Sequence, residues 1–128
     1  MPLVEISLLK GKSPAYIRAI ADGIHRALNE TFSVPLADRF QFIREYDCEH
    51  FIYDANYLDV KRSDDVVFVH IVASKGRDTA TKKAFYKRAA ELLSEKPGLR
   101  PEDVQIILSP NEREDWSFGN GLASYVKD

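Results

Sequence analysis

One pattern is written twice along these 128 residues: a short apolar strand, an amphipathic helix, and a second strand behind a proline. In the first copy, Leu3-Val4-Glu5-Ile6-Ser7-Leu8 reads as a strand that ends before Gly11. Ser13-Pro14 supplies an N-cap followed by proline at the first helical position. Ile17, Ile20, Ala21, Ile24 and Leu28 then recur at helical spacing on a helix to about Thr31. Behind Pro35, residues 39–44 read as a second strand. In the second copy, 66–73 is a nearly continuous apolar strand. Gly76-Arg77-Asp78-Thr79 leads into a helix with the stripe Phe85, Ala89, Leu92 and Leu93, which ends near Pro97-Gly98. Behind Pro101, residues 104–108 alternate as a fourth strand. Pro35 and Pro101 take matching places, so the duplication is one of architecture rather than of residues.

Neither half can bury its own helix and strands, so the two must share a sheet. The chain is expected to be a single domain, 1–128, of α/β (α+β) class, with β-α-β halves of about 1–60 and 61–128. The expected architecture is one mixed four-stranded sheet with two helices on one face. A pseudo-two-fold between the halves lays their first strands side by side and antiparallel. Pro2 then meets the end of the third strand, Ser74-Lys75-Gly76-Arg77, one or two strand spacings of about 4.8 Å away. The strands read as apolar on both faces, so the face without helices is expected to meet neighbouring subunits. The stretch 45–65 is polar with scattered aromatics, and a short strand is expected near Phe51-Ile52-Tyr53. The tail is turn-rich from 115 to 121, and 122–126 can pair as a short terminal strand.

With a formal net charge of −2, the chain has no global electrostatic case for nucleic acid or an anionic membrane. The run 66–73 is interrupted by His70 and is far too short to span a bilayer. No basic segment followed by an apolar one opens the chain, and Cys48 is the only cysteine. Together these point to a reducing, cytoplasmic location. His25, His50 and His70 lack metal-site spacing, and Gly119-Asn120-Gly121 lacks the lysine and length of a phosphate loop. Neither a metal nor an organic cofactor is expected.

The chemistry centres on Pro2. Removal of Met1, favoured by a small following residue, would turn Pro2 into an N-terminal secondary amine; a retained methionine would leave its nitrogen an amide. An α-amino group titrates at about 7.7–8.0, so such an amine can act as base, acid or nucleophile. The plainer reading is that proline opens a strand where no N–H is needed. Lys75 and Arg77, placed beside the amine, would depress its pKa and hold a substrate carboxylate, with Arg77 able to grip it bidentately. The alternative is a solvated loop, although cations before a helix oppose its dipole. Asp38 either caps an Asx turn or orients a water or the proline ammonium. Trp116 and Phe118 must cover something: core, a pocket wall or a subunit boundary.

Pro2-Leu3, Val34-Pro35-Leu36-Ala37-Asp38-Arg39-Phe40, Ser74-Lys75-Gly76-Arg77 and Asp115-Trp116-Ser117-Phe118-Gly119 carry a resemblance to the tautomerase superfamily. Within it, the chain is most similar to the malonate semialdehyde decarboxylase group, almost end to end. The resemblance implies duplicated β-α-β subunits in a homotrimer, no cofactor, and catalysis by the amino-terminal proline on a small oxo acid. It assigns Asp38 and Arg77 to catalysis beside Pro2. It further assigns Lys75 and Arg77 to carboxylate binding, and Trp116, Phe118 and Tyr125 to the pocket wall. Where that group carries two arginines after the third strand, this chain has Lys75 and Arg77, keeping the charge and losing one planar fork. The implied reactions are keto–enol tautomerisation, decarboxylation or water addition. A non-catalytic binding module of ferredoxin-like topology has the same element order. It is distinguished by how the strands interleave, and it lacks support from any RNA-stacking aromatics on 66–73.

Overall fold

The computed structural model describes residues 2–127; Met1, whose removal bears on Pro2, lies outside the described residues. Six main elements follow the expected order: β1 (Pro2–Leu9), α1 (Pro14–Phe32), β2 (Gln41–Tyr46), β3 (Val67–Ser74), α2 (Thr79–Glu95) and β4 (Val104–Asn111). The sheet runs β2-β1-β3-β4. Its centre is the antiparallel pair β1–β3, with β2 parallel to β1 and β4 parallel to β3. Each half therefore contributes a directly paired parallel β-α-β unit. A ferredoxin-like sheet splits that unit by inserting a strand between the parallel pair, so that rival topology is excluded.

Alternation decides which face is dry. Val4, Ile6 and Leu8 of β1 stand opposite Ile71, Val69 and Val67 of β3, and all six are buried. They pack under Ile20, Ile24 and Leu28 of α1 and Phe85, Ala89 and Leu93 of α2. Both helices are capped as their sequences require: Ser13 Oγ accepts the Tyr16 N–H at 3.1 Å and Asp78 Oδ1 accepts the Thr81 N–H at 2.8 Å. Gly23 leaves room for the neighbouring helix: a Cβ there would stand 2.8 Å from Leu93 Cδ2.

Three local expectations fail. The second strand begins at Gln41 rather than 39, because Arg39 is drawn to α1, donating to Asp22 at 2.6 Å and to Gln41 Oε1 at 2.7 Å. Residues 51–53 form no strand. The following loop is instead held by Arg62, which donates to the carbonyls of Asp54 and Tyr57, each at 3.1 Å. The 122–126 segment forms turns, closed locally by Leu122 N–H to Gly119 O at 3.3 Å and Val126 N–H to Ala123 O at 3.0 Å.

The helix-free face is less apolar than expected. Phe42 (53% exposed), Phe68 (44%) and Ile107 (48%) leave a large apolar surface bare. A polar line crosses it: Arg44 reaches Glu5 at 3.0 Å, His70 Nδ1 lies 3.4 Å from Glu5, and His70 Nε2 lies 2.8 Å from Ser109 Oγ. Alternation places these residues outward but cannot show that they meet. Among the described residues, no helix is long and apolar enough to cross a membrane.

Candidate active site

The topology gathers the starts of β1 and β2 and the ends of β3 and β4 at one end of the sheet. Pro2 opens β1 there, buried, directly opposite Ala73. Opposed Cα atoms in an antiparallel pair lie about 4.5–5.5 Å apart, which is the proximity to the β3 terminus that the duplication implied.

Asp38 arrives through the turn before β2. Its N–H donates to Pro35 O at 3.0 Å, and His25 Nε2 lies 2.8 Å from Leu36 O, which pins the turn to α1. The Phe40 carbonyl accepts the Val4 N–H at 3.0 Å, so the segment lies alongside the start of β1. The Asp38 side chain is buried, and burial pushes its carboxyl above the ordinary range, while His25 pulls the other way. The turn is closed by the Asp38 main chain, and the carboxyl is turned into the protein rather than into solvent.

The tail builds an aromatic wall across the same end. Trp116 stacks on Phe118 with centroids 5.3 Å apart and 6° between planes. Phe118 then meets Tyr125 at 5.6 Å and Phe40 at 5.5 Å. Trp116 Nε1 donates to Asn111 Oδ1 at 2.8 Å, tying the wall to the end of β4. The Arg113 guanidinium lies 4.5 Å from the Tyr125 ring centroid. Burial, and then the charge of Asp38, raise the Tyr125 phenol above its usual pKa, while Arg113 pulls the other way.

The two cations of the β3–α2 loop part company. Lys75 is exposed and its ammonium pairs with Glu112 at 2.7 Å. Arg77 folds inward over the Phe32 ring, 4.8 Å from its centroid, donating to Ser74 O at 2.8 Å and Phe32 O at 3.4 Å. Burial lowers its pKa from the usual arginine value. A solvated loop describes Lys75 and fails for Arg77.

Between these parts lies a pocket of about 120 Å³, bounded by Phe32, Ala73, Ser74, Arg77, Lys82 and Leu108, with Lys75 at its edge. It sits on the helix side of the sheet and reaches Pro2 through Ala73, the residue paired with it. Trp116, Phe118 and Tyr125 do not line it; they stand on the side of Asp38 and Phe40. Sequence reading missed Phe32, Ser74, Lys82, Phe40 and His25. Only Lys82 carried a usable signal, since it follows the capping Asp78 by one helical turn and so shares that end of α2. Among the described residues, Asp47, Glu49 and His50 group closely enough to hold a metal, but they are exposed at the opposite end of the sheet.

Family models described as Tautomerase enzyme match residues 38–119 and, separately, 2–61. "Probable tautomerase YusQ" of Bacillus subtilis (strain 168) is 40% identical over 127 residues, covering 99% of this chain and 100% of that protein. The crystal structure of FG41 malonate semialdehyde decarboxylase inhibited by 3-bromopropiolate is 36% identical. It superposes with a TM-score of 0.90 over 96% of this chain and 93% of its own. A malonate semialdehyde decarboxylase structure that addresses decarboxylase and hydratase activities is 31% identical. Its TM-score is 0.91 over 96% and 95% of the two chains.

Proposed function

From the premise that this chain belongs to the tautomerase family, we propose that it is a cofactor-independent enzyme acting on small oxo acids through the Pro2 nitrogen. The observation that supports this reading is the pairing of Pro2 with Ala73, at the edge of a small pocket that contains the half-buried Arg77. Arg77 binds the substrate carboxylate with the N–H groups that its two carbonyl contacts leave over. Bound there, the acid extends toward Ala73 and the amine.

Two reactions use these parts. A neutral amine takes a proton from the enol oxygen or the α-carbon of a 2-oxo acid and returns one at the other position. A protonated amine, favoured when Asp38 is ionised, donates a hydrogen bond to the carbonyl of a 3-oxo acid. The bond to the carboxyl carbon then breaks, its electron pair enters the enolate, carbon dioxide leaves, and the enolate carbon takes up a proton. Asp38 could also orient a water for addition to an activated acid. The likeness to malonate semialdehyde decarboxylases supports the second route. Replacement of an arginine by Lys75, now held by Glu112, weakens the carboxylate grip and supports the first.

The direct test assays protein with Met1 removed beside protein that retains it, using phenylenolpyruvate and malonate semialdehyde. Turnover of at least one substrate, confined to the processed protein, is the expected result. Equal turnover in both preparations would remove Pro2 from the chemistry, because an amide nitrogen has no basic lone pair.

We further propose a homotrimer. The bare face carrying Phe42, Phe68 and Ile107 calls for cover by other subunits, and three-fold closure is what the family resemblance implies. Light scattering should report three times the 14.6 kDa chain mass. A monomer at micromolar concentration would leave that face unexplained.

A further inference from the structure

We propose that the substrate carries a second carboxylate and that Lys82, in the first turns of α2, is the residue that selects it. The inference rests on the oxo-acid reading above and specifies which oxo acids the site prefers.

Three cationic side chains line the pocket: Lys75, Arg77 and Lys82. Glu112 matches the charge of Lys75. Among the described residues, neither Arg77 nor Lys82 forms an ion pair. The contacts of Arg77 go to main-chain carbonyls and to the face of Phe32. Asp78, the nearest carboxylate in sequence, serves as the cap of α2 on Thr81 and does not line the pocket. Two cationic residues thus line one small cavity, and among the described residues neither has a carboxylate partner.

A monocarboxylate on Arg77 would leave Lys82, in the same lining, with no counter-ion among the described residues. A dicarboxylate matches both charges. Ser74 supplies a second, independent observation: its Oγ is buried, has no hydrogen-bond partner, and belongs to the same lining. A buried hydroxyl left unpaired is costly, and a carboxylate oxygen arriving in the pocket would accept from it. The cavity of about 120 Å³ favours a short-chain diacid over any ligand of nucleotide size. One carboxylate would sit on Arg77 and Ser74, the other on Lys82, and the carbon between them would face Ala73 and Pro2.

The test uses processed full-length protein, wild type and Lys82→Gln. Enolic oxaloacetate serves as the dicarboxylate and phenylenolpyruvate as the monocarboxylate, and the readout is the ratio of their kcat/KM values. Loss of a charge-assisted contact should lower that ratio by about 10- to 100-fold, mainly through KM, with Lys82→Arg retaining most of it. An unchanged ratio in Lys82→Gln would overturn the inference. Calorimetry with succinate and butyrate separates this from failure of the parent reading. Succinate binding that is tighter than butyrate binding and depends on Lys82 would uphold the diacid pocket even in a protein that turns over neither enol. Equal binding of the two acids would overturn the diacid pocket even in an active enzyme.

Discussion

Replacing Pro2 with alanine in protein freed of Met1 is expected to lower turnover by roughly 10²- to 10⁴-fold, the usual contribution of a positioned acid or base. Alanine leaves a primary amine at the same chain end, so the loss measures what the secondary, ring-restrained amine adds. Arg77 would still hold the carboxylate, since its supports are Ser74 O, Phe32 O and the Phe32 ring rather than Pro2. The fall should therefore appear in kcat with KM little changed, the mark of an interaction made mainly in the transition state. Burial raises the Asp38 pKa, and the ionised form is the one that favours the proline ammonium. As pH falls, Asp38 takes up its proton earlier than an ordinary carboxyl would. The acid limb of a decarboxylation profile should accordingly lie above the usual aspartate range. Equal kcat in Pro2→Ala and wild type would sink the mechanism.

Arg77→Ala should weaken substrate binding by roughly 10- to 150-fold, the equivalent of about 1.5–3 kcal/mol for a hydrogen-bonded charge pair. The effect should exceed that of Lys75→Ala, because Lys75 stands exposed in a surface pair with Glu112, the kind of pair whose loss is felt least. Arg77 also braces the end of α1 through Phe32 O. Its removal should lower the melting temperature as well, and Arg77→Lys separates the two roles: the charge persists while the planar fork is lost. Inhibition constants for a non-reactive substrate analogue provide the comparison. If Lys75→Ala proves the more damaging of the pair, the carboxylate binds on the outer side of the loop and the pocket assignment falls.

Most of the frame is legible in the chain itself. The helical stripes, the capping Ser13 and the paired prolines located all six main elements, starting the second strand two residues early and ending the fourth three residues short. Duplication then forced β1 and β3 together, so that Pro2 faced the end of β3. These inferences succeed because periodicity reports which face of an element is buried, and a strand's neighbours follow from covering that face. What periodicity cannot report is the partner chosen by a long side chain whose rotamers reach several sites. Lys75 and Arg77, two residues apart, diverge to Glu112 and Phe32. Arg62 takes the Asp54 carbonyl just beyond the stretch expected as a strand, and the tail sets Phe118 against Phe40 instead of joining the sheet. Lys82 lines the pocket only because the start of α2 lies beside the ends of β3 and β4. Local sequence thus settled most of the backbone and the position of Pro2, while contacts between residues far apart in the chain decided which charges surround it.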